Sequence, residues 1–136
     1  MPDKDCPFCN LPDDQIVASN DLALAIYDNY PVSPGHMLFI PKRHVSSWFD
    51  ATEQEQIAIM RLINQVHAND VGATPASPDN QDKQPSAYNL GINIGPAAGQ
   101  TVMHLHVHLI PRYKGDTDDP RGGVRWIMPG KAKYWK

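Results

Sequence analysis

Apolar and polar positions along this chain follow two different periods. Residues 16–17 are a short apolar pair and residues 22–27 a longer run, both with strand character. Residues 28–34 carry two prolines together with Asp and Asn, and predict a turn-rich connection. Residues 36–40 then read as a buried strand stopped by Pro41. The period changes after this point. Thr52-Glu53-Gln54-Glu55 matches a capping box, in which Thr52 caps the helix and Glu55 reaches back. Ile57, Met60, Ile63 and Val66 supply one apolar face of a helix running to about Asn69, with Gly72 close to its end. Residues 72–86 are polar, contain three prolines and predict a surface loop. Strand character resumes over 88–94, is strongest over 101–110 before Pro111, and returns in a short final strand within 122–129.

Strands joined by short connections on either side of one helix favour an antiparallel arrangement, because parallel strands need a crossover after each strand. The expectation is an α+β fold with an antiparallel sheet of about five strands, one main helix and a short second helix. The 136 residues, 41% hydrophobic and 20% charged, suit one domain over 1–136 with its own core. Its formal net charge of −3 gives no basic face, so no nucleic-acid partner is expected. No run approaches the ~18–20 apolar residues of a membrane span. The first residues, Met1 to Asp5, are polar with no apolar stretch behind them, so a signal peptide is not expected and the cytoplasm is the expected compartment.

The candidate chemistry is concentrated in His104-Leu105-His106-Val107-His108. In an extended strand alternate side chains share a face, so the three imidazoles project together at intervals of roughly 6.6 Å. Met103, Leu105, Val107 and Leu109 then occupy the opposite, core-facing side. Three histidines in register make a poor packing surface, because each buried ring needs hydrogen-bond partners. Imidazole is a nucleophile near neutral pH and a common metal ligand, so catalysis and metal binding are both open. The two cysteines, Cys6 and Cys9, are spaced C-x-x-C, which in a reducing compartment points to metal or redox chemistry rather than to a structural disulfide. Residues 95–99 form a small-residue loop that backbone could bring close to a ligand.

The stretch His104-Leu105-His106-Val107-His108-Leu109-Ile110 resembles the signature of the histidine triad (HIT) family of nucleotide hydrolases and transferases. Asn93, the loop ending Gly99-Gln100-Thr101, and the run from Gly35-His36 to Pro41-Lys42-Arg43-His44 resemble further family stretches in order and spacing. Asp28 stands eight residues before His36, where many members carry a ribose-binding Asp or Asn. The likeness covers residues 6–112, leaving 113–136 as a C-terminal extension. It implies a HIT-like fold, a homodimer that extends the sheet, and cleavage of a nucleoside phosphoanhydride or phosphoramidate through a nucleotidyl-histidine. Dinucleoside polyphosphates and adenylates are the implied substrate classes. By this resemblance His106 is the nucleophile, His108 assists the leaving group and His36 lies beside the triad. Asn93, Gln100 and Thr101 contact phosphate, Asp28 binds the ribose, and Phe8, Leu11 and Ile26 hold the base. A zinc-bearing branch of the family implies a closed structural zinc site on Cys6, Cys9, His44 and His104, with no organic cofactor. The extension, including residues 119–126, would border the site on the leaving-group side. The alternative is a nucleotide- or zinc-binding module without turnover.

Overall fold

The computed structural model describes residues 3–70 and 84–136. Five strands, β1 (Ile16–Ser19), β2 (Ala23–Tyr27), β3 (Met37–Pro41), β4 (Ala87–Ile92) and β5 (Val107–Arg112), form one sheet in the order β1-β2-β3-β5-β4. Every neighbouring pair is antiparallel, as the short connections require. The main helix α1 (Glu53–Asp70) lies on one face of this sheet. The remaining helical geometry among the described residues consists of short 3₁₀ turns, the longest being Gly123–Ile127. Most of the loop expected over 72–86, and Gly72 at the expected helix end, fall outside the described residues.

Alternation sorts the strands into two faces. Ala23, Ala25, Met37, Phe39, Val107 and Leu109 point toward α1 and pack with its Ile59, Leu62, Ile63 and Val66 into one core cluster that also takes in Val45 and Leu105. Each of the larger side chains withdrawn from water, Met, Phe, Val, Leu or Ile, contributes about 1.5–3 kcal/mol, which is why this face carries the stability of the fold. The opposite face reads differently. Ile26, Leu38, His108 and Gly91 are successive cross-strand partners on β2, β3, β5 and β4, a single row running across the sheet. His108 therefore has a buried leucine on one side and, on the other, a glycine with open space where a side chain would stand.

The helix presents a different stripe from the expected one. Ile57 is only partly buried and Met60 is half exposed, whereas Ile59 and Leu62 are fully buried. The phase is set by Glu55. The capping box forms as expected, with Glu55 N–H donating to Thr52 Oγ1 at 3.1 Å and Thr52 N–H donating to Glu55 Oε1 at 2.8 Å. Arg43, on the connection after β3, also donates to both carboxylate oxygens of Glu55 at 2.8 and 3.0 Å. A paired, buried carboxylate thus opens the inner face, and Ile59, Leu62, Ile63 and Val66 follow it at helical spacing.

Two further expectations fail locally. The strand expected over 101–110 begins only at Val107, because the chain before it leaves the ladder: Leu105 N–H bonds the Val45 carbonyl at 2.7 Å. Met103 is consequently 40% exposed rather than part of the core side. The final strand expected within 122–129 is the 3₁₀ turn Gly123–Ile127, since Gly122 and Gly123 both adopt positive φ and reverse the chain there.

The two helix stripes are separable by mutation. Leu62→Ala should destabilise the protein by about 2–5 kcal/mol in urea unfolding. Met60→Ala should change it by less than about 0.5 kcal/mol. Comparable losses at both positions would contradict the observed phase of α1.

Candidate active site and metal cluster

The departure of residues 101–106 from the sheet brings His104 to the N-terminal segment. Cys6 Sγ lies 3.4 Å and Cys9 Sγ 3.5 Å from His104 Nδ1, and Cys9 Sγ lies 3.2 Å from His44 Nδ1. All four potential ligand atoms of Cys6, Cys9, His44 and His104 fall within 4.8 Å of one another. Ligands held at ~2.0–2.3 Å by a tetrahedral zinc stand roughly 3.3–3.8 Å apart, so these spacings fit that ion. The donor chemistry fits as well. His104 Nε2–H donates to the Pro41 carbonyl at 2.8 Å, which leaves Nδ1 as a lone pair aimed at the two sulfurs. Burial also holds His104 below the ordinary imidazole range, in the neutral form that ligates a metal. Burial pushes the Cys6 thiol up, a penalty that a bound cation would reverse.

Two residues on, the same device recurs. His106 Nδ1–H donates to the carbonyl of His104 at 2.8 Å, so its Nε2 carries the free lone pair. Phe8 packs edge-on against this ring with centroids 5.2 Å apart, and His108 packs against it at the same separation. The three imidazoles thus do not share one strand face. His104 and His106 precede β5, and only His108 lies within it.

His108 belongs to a second group with His36 and Asp28. The turn before β3 uses Gly35 at φ 85°, which lets the Val32 N–H reach His36 Nδ1 at 3.1 Å. A neutral His36 accepting at Nδ1 carries its proton on Nε2, which is shared between His108 Nδ1 at 2.9 Å and Asp28 Oδ2 at 3.4 Å. His108 therefore accepts at Nδ1 and presents an Nε2–H outward. Burial, reinforced by the charges of His106 and His36, lowers His108 to about 4, while Asp28 opposes the shift. Burial likewise lowers His36 against the pull of Asp28.

A cavity of about 600 Å³ opens beside this group, with His36, His108, Gly91 and Asn93 among its lining. Asn93 is exposed to it. Ile26 is buried in the same cross-sheet row as His108, and Leu11 is half-buried in the N-terminal segment. The structure gathers other expected residues elsewhere. Thr101 borders a small recess with Cys6 and His44, away from the cavity of Asn93. The Gln100 side chain is fully employed within the protein, accepting from Gly95 N–H at 2.8 Å and donating to the carbonyls of Ser46 and Val102 at 2.9 and 3.0 Å. The loop backbone is similarly occupied, with Ala98, Gly99 and Gln100 N–H groups bonded to carbonyls of Gly95 and Pro96. Residues 95–100 are a self-bonded turn rather than a row of donors open to a phosphate. No motif marks the Pro41 carbonyl, the Val32 N–H or Gly91, because each contributes backbone, or the lack of a side chain, rather than a reactive group.

The chain is similar to known proteins over most of its length. The HIT domain family model matches residues 11–115. The AP-4-A phosphorylase of Mycobacterium tuberculosis is 32% identical over 125 residues, covering 82% of this chain and 56% of the relative. The asymmetrical bis(5'-nucleosyl)-tetraphosphatase of Schizosaccharomyces pombe is 36% identical over 102 residues, covering 75% and 51% respectively. A Zn-bound histidine triad family protein from Mycobacterium smegmatis has a solved structure similar to this one, with a TM-score of 0.64 and 32% identity. That similarity covers 83% of this chain and 78% of the other.

Two measurements test the site. Purified protein should contain about one equivalent of zinc, and Cys6→Ser should lose it in metal analysis; an unchanged content would reject the cluster. The lowered His36 and His108 bind a proton more readily in the unfolded chain. Their contribution to stability is thus complete above about pH 6.5 and is lost as pH falls toward about 4. Replacing His108 with Asn should flatten the pH dependence of the unfolding midpoint across that window.

Proposed function

This chain belongs to the HIT family, and from that premise we propose that it is a nucleotidyl hydrolase or transferase acting through a covalent nucleotidyl-histidine. The observation that carries the reading is the bond from His106 Nδ1–H to the His104 carbonyl, which fixes the tautomer a nucleophile needs. His106 Nε2 forms a bond to the α-phosphorus as the bond from phosphorus to the leaving atom breaks, and the electron pair departs with that atom. The positive charge left on the imidazole is shared with the backbone carbonyl through Nδ1–H.

An arriving phosphate anion favours protonation of the neighbouring imidazoles, so the group formed by His108, His36 and Asp28 takes up one proton with the substrate. His108 Nε2–H hands a proton to the leaving atom. In the second step water attacks phosphorus, the bond to Nε2 breaks, and the released nucleoside monophosphate keeps one hydrogen of the water while the His108 group recovers the other. Asp28 keeps acceptor lone pairs for ribose hydroxyls beside its bond from Tyr30 N–H. Phe8, Leu11 and Ile26 form the base slot, and Asn93 offers a polar group to the phosphates, whereas Thr101 stays in the recess beside Cys6 and His44. Gln100 acts by holding the preceding loop rather than by touching substrate.

Zinc on Cys6, Cys9, His44 and His104 would be structural, with four protein ligands and no open position. It would tie the N-terminal segment to the residue whose carbonyl orients the nucleophile. Two copies would pair along β4, the outer strand next to β5, where Leu90 is 52% exposed.

The assignment is tested by AMP release from an adenosine phosphoramidate and from diadenosine tetraphosphate. His106→Ala should lower kcat/KM by roughly 10³-fold or more. Acid quenching during turnover should trap an adenylated wild-type chain and none in the variant. Equal rates in the two proteins would overturn the nucleophile; no turnover of either compound would favour a binding module.

A further inference from the structure

The segment that carries Cys6 and Cys9 belongs to no strand or helix, yet two successive turns fix its backbone. Cys6 N–H donates to the Asp3 carbonyl at 3.0 Å, and Cys9 N–H donates to the Cys6 carbonyl at 3.2 Å. Each turn thus ends on a cysteine and closes on the carbonyl three residues before it. Asn10, the next residue, takes both of those carbonyls. Its Nδ2 donates to the Asp3 carbonyl at 3.1 Å and to the Cys6 carbonyl at 2.8 Å, and it reaches the Lys4 carbonyl at 3.0 Å. An amide nitrogen has two hydrogens, so three acceptors share them around one centre. Asp3 N–H adds a donor toward Cys9 Sγ at 3.4 Å.

The turns position more than sulfur. Phe8 lies between the cysteines, and its ring packs edge-on against His104 and His106 with centroids 6.0 and 5.2 Å apart. The sulfurs of Cys6 and Cys9 lie against His104, and that of Cys9 also lies against His44. The two turns therefore set three side chains that meet the body of the protein. No Asn10 bond uses a sulfur or an imidazole, so the shape it imposes is independent of what those groups bind. An ion that binds an already ordered segment is spared the cost of ordering it. Asn10 itself is exposed, and the core cluster takes in no residue of this segment. Loss of its amide should fall on the segment and leave the fold intact.

We propose that Asn10 is the positioning residue of the metal segment: its amide joins the two cysteine turns, presets Cys6 and Cys9 for zinc and carries Phe8 into place on His106. It touches neither the metal nor the substrate. This rests on the reading of Cys6, Cys9, His44 and His104 as a zinc site and adds the group that shapes it.

The test measures zinc affinity of the full chain by competition with a chromogenic chelator. Asn10→Ala, which removes the amide, and Asn10→Leu, which keeps its bulk without a donor, should each hold zinc roughly tenfold or more weakly than wild type. Lys4→Ala keeps the carbonyl and removes only an exposed side chain, and should bind zinc as wild type does. Urea unfolding of the chelator-treated proteins should give one midpoint for all four, which separates a defect of the segment from a general loss of fold. Equal zinc affinity in wild type and both Asn10 variants, or a midpoint that falls in step with the affinity, would overturn the proposal. A wild type that takes up no zinc would instead defeat the zinc reading. Asn10 is then judged by amide hydrogen exchange in the chelator-treated chain. The Cys6 and Cys9 N–H groups should exchange about tenfold faster in Asn10→Leu than in wild type, and equal rates would overturn its role.

Discussion

The position of His106 depends on one hydrogen bond, from His104 Nε2–H to the Pro41 carbonyl at the end of β3. That bond holds the His104 ring toward the two cysteines, and the same residue's carbonyl then receives the Nδ1–H of His106. Two backbone acceptors in series, each blind to side-chain identity, decide which nitrogen of each ring is free. The connection after β3 supports them. Arg43 is clamped by Glu55, Val45 receives the Leu105 N–H, and Ser46 receives the Gln100 amide. A short stretch of irregular chain is thereby bonded to the helix, to the turn before the histidines and to the histidine segment itself, and it stays in place without belonging to the sheet.

The sheet divides the remaining work between its faces. The side toward α1 is apolar and supplies stability through Phe39, Ile59, Leu62 and their neighbours. The other side can then hold groups that cost energy to bury, such as the neutral His36 and His108, because their ring nitrogens find partners in Val32, Asp28 and each other. In that setting burial keeps both imidazoles in the neutral form.

The architecture and the Cys/His grouping were legible in the sequence because both follow from side-chain type. The strand over 36–40, the capping box of Thr52 and Glu55, and the spacing of Cys6, Cys9, His44 and His104 translated into structure, although β3 and β5 carry Pro41 and Pro111 within the ladder instead of stopping before them. The misreadings share one cause, which is that backbone bonding outweighed local pattern. Residues 101–106 alternate like a strand, yet Leu105 pairs with a loop carbonyl and Met103 turns outward. The helix has two competing apolar stripes, and the one that packs on the sheet, Ile59, Leu62, Ile63 and Val66, begins at Glu55, which Arg43 on a distant segment pairs. Gln100 looked available because its amide partners, Gly95, Ser46 and Val102, are backbone groups that no motif records.

His104 also carries an implication for how such a chain can change over time. Its Nε2 is satisfied by Pro41 whether or not Nδ1 has a metal to bind, so a buried ring that is fully enclosed still has one secure partner. Lineages that lose Cys6 and Cys9 would forfeit the tie to the N-terminal segment while retaining the carbonyl that aims His106. A metal held by these four side chains would then be a removable brace on a segment that the backbone already holds in place, and selection on it could relax while the bond that orients His106 is kept.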